Sequence, residues 1–155
     1  MNLNKLVQTT PSVLVDEIDL ARFGHLSAWI DDLGRIKISL GSREEGKAFL
    51  HRLILDTFSA VDHINGNPAD NRRGNLREAT LSQNQGNRKT SLFSKSGYKG
   101  VSWHKASKKF RARLGTKTGE IYLGLFDSPE AAALAYNEAA VKYFGEFAKL
   151  NKVIT

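Results

Sequence analysis

Cysteine is absent from the 155 residues. That excludes a disulfide framework, a cysteine zinc finger and a thiol nucleophile. Apolar runs are short, and none approaches the ~18 residues that a membrane span requires. The opening MNLNKLVQTTPSVLVDEID has no charged stretch followed by an apolar one, the pattern of a signal peptide. The expectation is a cytoplasmic protein with no membrane partner. What remains is the composition of a folded chain, 41% hydrophobic and 25% charged. The length suits one domain or two small modules.

Acidic side chains are outnumbered, 16 against 23 basic ones, for a formal charge of +7. The imbalance is uneven. Residues 1–50 carry six basic and seven acidic side chains, residues 51–95 seven and four, and residues 96–155 ten and five. The basic character lies in the last two thirds, where it favours a polyanion, nucleic acid above all.

The first fifty residues carry the weakest local signals. VLVDEIDLARF reads as a short strand and a helical turn, and LSAWIDDLGRIKISLGS as a β-hairpin turning at Asp31-Asp32-Leu33-Gly34. Trp29 is expected in the core. FLHRLILDTF fits a short helix or strand. The stretch VDHINGNPADNRRGNLREATLSQNQGNRK follows, with a turn signal at Asn65-Gly66. Thr80-Leu81-Ser82-Gln83 has the form of a capping box that opens a helix bearing Asn84. RKTSLFSKSG at 88–97 reads as a linker. The remainder shows three short strands, YKGVSWHK, KKFRARLG and GEIYLGLF, and then an alanine-rich helix opened by Ser128-Pro129-Glu130.

The Asn-rich stretch contains the parts that phosphodiester hydrolysis needs: a base for water, a cation for the developing charge, and a way to neutralise the leaving oxygen. Asp62 is a hard oxygen ligand suited to magnesium or manganese. His63 titrates near neutrality and is the natural base. Asn84 offers a carboxamide oxygen. Asn75 cannot ionise and is suited to pinning the loop to backbone. Asp62-His63, Asn75-Leu76-Arg77 and Gln83-Asn84 resemble the HNH nuclease motif in its phage and intron homing-endonuclease form, over about His51 to Asn87. The resemblance implies a ββα-metal module with His63 as general base and Asn75 as the Asn that orients the catalytic loop. It implies Asp62 and Asn84 as ligands of a divalent metal, Mg2+ or Mn2+, with Asn87 the nearest rival of Asn84. Arg72, Arg73 and Arg77 are candidate phosphate contacts. His51, with no second ligand at metal spacing, reads as structural.

In the C-terminal strands Phe110, Ala112 and Leu114 alternate with Arg111 and Arg113, and Ile121 and Leu123 alternate with Glu120 and Tyr122. One face then gathers Arg111, Arg113 and Tyr122, with Lys99 and His104 from the first strand, and such a face suits a major groove. Gly97-Tyr98-Lys99-Gly100-Val101, Tyr122-Leu123-Gly124-Leu125-Phe126 and Ala135-Tyr136-Asn137 resemble the plant DNA-binding domain named after APETALA and ethylene-response factors, over roughly Ser96 to Asn151.

The fold expected is α+β: an HNH module, then a three-stranded antiparallel sheet packed on one α-helix. The expected divisions are a β-rich module at 1–50, the nuclease module at 51–90, a linker at 91–96 and the DNA-binding domain at 97–155. The function expected is a metal-dependent endonuclease on double-stranded DNA, acting as a monomer or weak dimer in a bacterial or phage-infected cell. The resemblance makes a homing role plausible. The alternative is a non-catalytic DNA-binding regulator on a decayed nuclease fold. An RNA-binding role is disfavoured, because outward arginines on a sheet suit the wide B-form groove better than the deep, narrow A-form one.

Overall fold

Leu3, Leu6, Val13, Ala28, Ile36, Ile38, Leu50, Ile54, Ala69 and Leu76 form one buried cluster. They come from both sides of the expected boundary at residue 50, so that boundary runs through a core instead of between two. The computed structural model describes residues 1–41, 46–87 and 96–153, and it falls into two compact units, Met1–Thr80 and Leu81–Thr155. Most of the expected linker, residues 91–95, lies outside the described residues. The architecture is mixed α/β with three antiparallel sheets. Among the described residues no helix is long and apolar enough to cross a membrane.

The first unit opens with α1 (Leu3–Thr9), whose N-cap Asn2 accepts from the Lys5 N–H, and α2 (Glu17–Phe23). The expected hairpin forms as β1 (Ala28–Ile30) and β2 (Ile36–Ser39). A third strand, β3 (Lys47–Phe49), adds to it and runs directly into α3 (Leu50–Leu55). The FLHRLIL stretch is therefore strand end and helix together. Alternation sends Ala28, Ile36 and Ile38 into the core. Trp29, expected inside, instead points outward with its neighbours across the strands, Lys37 and Phe49, and is half-buried. The second sheet is the pair β4 (Ala60–His63) and β5 (Leu76–Ala79), with Asp62 opposite Arg77 and His63 opposite Leu76. The segment before α2 supplies no full strand; Leu14 bridges to Asp70 in parallel.

The second unit starts with α4 (Leu81–Gly86), which follows Thr80 directly. Its sheet comprises β6 (Val101–His104), β7 (Lys109–Thr116) and β8 (Gly119–Phe126) in that order. The helix α5 (Pro129–Phe144) packs on all three strands. Ser128 caps it by accepting from the Ala131 N–H at 3.1 Å, with Pro129 at the first helical position. Ala132, Ala133 and Ala140 are completely buried, and small side chains let the helix axis lie close to the sheet. Gly100 sits where a Cβ would come within 2.2 Å of the Tyr136 ring, at φ +75°, so only glycine fits. Asn151 closes the unit: its side chain accepts from the Lys99 N–H and donates to the Lys99 carbonyl, while its backbone exchanges two bonds with Asn137.

His51, on α3, is 6% exposed. Burial pushes its imidazole down to about 4, helped by the positive charges of His63, Arg52 and Arg35. A folded-state value below the unfolded 6.5 means that stability is complete above pH 6.5 and is lost as the pH falls toward 4, because only the unfolded chain takes up the proton. Native protein should therefore lose about 2 kcal/mol more than a His51→Phe variant between about pH 6.5 and 4.5, measured by urea unfolding. Parallel pH curves for the two proteins would refute this origin.

Candidate active site

β4 ends at His63, and a tight loop carries the chain to β5. Gly66, at φ +68°, donates to the His63 carbonyl at 2.7 Å. The Asn65 and Asn67 side chains accept from the N–H groups two residues ahead, at 2.8 and 3.2 Å; this self-bonding is why asparagine dominates such turns. The return leg is held by Asn75, 9% exposed. Its Oδ1 accepts from the Asn65 N–H at 3.0 Å, its Nδ2 donates to the Asp70 carbonyl at 2.8 Å, and its backbone oxygen accepts from Ile64 N–H at 2.9 Å. The N-terminal segment clamps the loop from the other side. The Leu14 N–H donates to Ala69, and the Asn71 N–H donates to Leu14, at 3.0 and 2.8 Å.

Asp62 and His63 are the last two residues of β4, opposite Arg77 and Leu76. Asp62 is 5% exposed, and Arg77 donates from Nε and Nη2 to its Oδ2 at 2.9 and 2.8 Å. Burial pushes the His63 imidazole pKa down, and Asn71, Asp62 and Asp70 oppose that in part. His63 meets the His51 ring edge-on, with centroids 5.2 Å apart and planes at 86°. His51 in turn stacks flat on Phe49 at 5.2 Å. Sequence alone places His51 near the nuclease core with a structural role favoured, and does not show that it touches His63. The packing of α3 beside β5 accompanies the meeting of the two rings.

The three arginines expected at phosphate each hold a carboxylate inside the unit. Arg72 forks onto Asp70 at 2.8 and 2.7 Å, and this holds the Asp70 carboxyl below the usual carboxylate range. Arg73 forks onto the fully buried Asp19 of α2 at 2.8 and 2.6 Å, and its N–H reaches Asp16 at 2.7 Å. Arg77 holds Asp62. Their first role is therefore to tie the loop to the fold. Asn84, the other expected metal ligand, lies on α4, which belongs to the second compact unit. Asn87 follows α4 and is buried. Among the described residues no three His, Cys, Asp or Glu side chains converge. The oxygen donors expected, one carboxylate and one carboxamide, suit a hard divalent cation and not zinc. The buried, arginine-oriented carboxylate of Asp62 fits that role.

In the second unit, Arg111 faces Ser102 across β6 and β7, and Arg113 faces Tyr122 across β7 and β8. Arg113 also pairs with Glu120. Arg111 Nε and Ser102 Oγ are shielded from water and lack hydrogen bonds among the described residues. Tyr122 is exposed, and His104 Nδ1 lies 2.7 Å from Ser107 Oγ. Lys99, expected on the outer face of the first strand, instead precedes β6, and its ammonium is turned to the Gly86 carbonyl at 2.6 Å and to the Tyr136 ring. Ile121 pairs with the buried Leu114 and so faces inward as alternation predicts, and it is 40% exposed near the sheet end.

Comparison with known proteins agrees with the motifs. The family model described as HNH endonuclease matches residues 48–85, from β3 through most of α4. An uncharacterized HNH endonuclease of Acanthamoeba polyphaga mimivirus is 36% identical over 121 residues, 72% of this chain and 62% of the relative. Protein 3.8 of Escherichia phage T7 is 43% identical over 60 residues, 39% of this chain and 47% of the relative. The AP2-like ethylene-responsive transcription factor CRL5 of Oryza sativa subsp. japonica is 43% identical over 72 residues, 44% of this chain but 11% of the relative. The chain thus spans less than two thirds of the length of each of these relatives. No solved structure matches it significantly.

If the Asn75 frame holds the loop, Asn75→Ala should cost about 2–3 kcal/mol of stability, the loss of two hydrogen bonds, one of which leaves the buried Asp70 carbonyl unpaired. Asn75→Asp keeps the acceptor but turns a carboxylate oxygen onto the Asp70 carbonyl, and should cost at least as much. Urea unfolding checks both, and a loss under about 1 kcal/mol for Asn75→Ala would mean that the loop stands without it. Residues 48–85 thus resemble the HNH endonuclease family model, and a further part of the chain resembles AP2-like ethylene-responsive transcription factors, the pairing that its motifs at Asp62–Asn84 and Gly97–Asn151 resemble.

Proposed function

We propose that the protein is a metal-dependent HNH endonuclease that hydrolyses phosphodiester bonds in double-stranded DNA. The observation that carries this reading is the Asp62–His63 pair at the end of β4, in a loop braced by Asn75 and inside the segment that matches the HNH family. Burial favours the neutral imidazole of His63, the form that accepts a proton from the attacking water. Arg77 and the strand register orient the Asp62 carboxylate. Asp62 would hold the divalent cation, Mg2+ or Mn2+, and the family resemblance implies Asn84 as its second ligand. That cation, when bound, offsets negative charge on the scissile phosphate and on the leaving oxygen. Asn75 acts on the reaction by holding the loop. One such site cuts one strand, so a monomer nicks, and a double-strand break needs two events.

The second unit is the proposed DNA-holding module. Its exposed sheet face presents Arg111, Tyr122 and His104, while Arg113 shares its charge with Glu120. The Arg111 guanidinium on that face is the proposed phosphate contact. A homing role follows from the resemblance to phage and intron enzymes alone.

Supercoiled plasmid carrying the cognate site, incubated with magnesium or manganese, should be nicked by native protein. His63→Ala and Asp62→Ala should lose at least ~100-fold of the rate, as expected for a general base and a metal ligand, while still binding DNA. Tight binding without cleavage of any cognate target would instead favour the regulator. A separate measurement addresses the sheet. Arg111→Ala should lower the slope of log Kd against log salt by about 1, and Arg113→Ala by less, because Glu120 already partners that guanidinium.

A further inference from the structure

The outer face of β1–β2–β3 has no role in the reading above, yet it concentrates positive charge on aromatic rings. Across the sheet Trp29, Lys37 and Phe49 lie in one row. The Phe49 ring is approached by three cations, with Arg35 at 4.5 Å, Lys37 at 5.5 Å and Arg52 at 5.9 Å from its centroid. Lys47 lies over Trp29 at 5.5 Å. Among the described residues the acids near them are Asp31, which binds Arg35 and Lys37, and Asp56, which lines a cleft of about 440 Å³ with Lys47, Phe49, Arg52 and the exposed Phe58. Among the described residues four cations thus face two carboxylates. Such a cluster is self-repelling, and an anion relieves the repulsion. The face is also continuous with the candidate active site, ring to ring: Phe49 stacks on His51, and His51 abuts His63.

We propose that this face binds the phosphate backbone of the DNA duplex as it enters the site at His63, with Lys47 and Arg52 as its main contacts. The choice of DNA rests on the nuclease reading, which makes a phosphodiester the group that His63 meets. Charge complementarity and the chain of touching rings carry the rest. Lys47 and Arg52 are exposed and are not tied to Asp31, so they are free to turn to a phosphate while their neighbouring rings limit the rotamer freedom that would be given up on binding. Aromatic rings beside the cations give sugars and bases an apolar surface.

The test uses the full chain with EDTA, so that nothing is cut, and a short mixed-sequence duplex. Lys47→Gln with Arg52→Gln should lower the slope of log Kd against log salt by about 2, at roughly 0.9 for each phosphate that is no longer neutralised. An unchanged slope overturns the proposal, as does failure of native protein to bind the duplex at low salt. If the double variant does not fold, Trp103→Phe leaves Trp29 as the sole tryptophan of the two. Saturating duplex should then change Trp29 emission, reversibly with salt, and unchanged emission overturns the proposal. Nicking of plasmid carrying the cognate site, with magnesium, is read in parallel on the native protein. A reduced slope without nicking upholds the surface and removes the nuclease reading; nicking with an unchanged slope does the opposite.

Discussion

The carboxamide of Asn75 spans the loop between β4 and β5, accepting from one leg at Asn65 and donating to the other at Asp70. That bridge holds the loop that follows His63, while Arg77 and the strand register hold Asp62. With the loop closed, Asp70 is buried where Asn65 and Arg72 satisfy its oxygens. His63 is left at the strand end and not in the ladder's middle. A neutral side chain is required at 75, because a carboxylate cannot donate to the Asp70 carbonyl and a lysine cannot accept from Asn65.

The charged residues around this bridge trade solvent for partners. Asp19, Asp62 and Asp70 are buried, and each meets an arginine. Burying a carboxylate alone costs several kcal/mol, so the arginine is needed wherever the acid is. This changes the meaning of the basic loop. Arg72, Arg73 and Arg77 are paired to acids, and part of the segment's positive charge is neutralised within the fold. Exposed cations of the first unit include Lys47 and Arg52, on the outer sheet face around Phe49 and Trp29.

The two units use different means to gather function. In the first, a long-range core brings α2, α3 and the two sheets around one short loop. In the second, a local meander of three strands is backed by one helix, and its exposed face follows from strand alternation alone. The second is therefore easier to read from sequence, since its pattern repeats every two residues within a single strand.

Motifs and alternation determined much by themselves: the hairpin at Asp31–Gly34, the helix opened by Ser128-Pro129, the outward Arg111 and Arg113, and the adjacency of Asp62 and His63. Each depends on neighbours a few residues away, where turn chemistry, capping and pleat dictate geometry. The tertiary structure alone decided that residue 50 is no boundary, because burial pairs Leu3 and Ile38 with Leu76. It also decided that Arg73 belongs to Asp19, fifty-four residues away, that Lys99 leaves the sheet for the Gly86 carbonyl, and that His51 touches His63. Ion-pair and ring partners of that kind are set by which surfaces the core brings together, and a linear spacing carries no record of them.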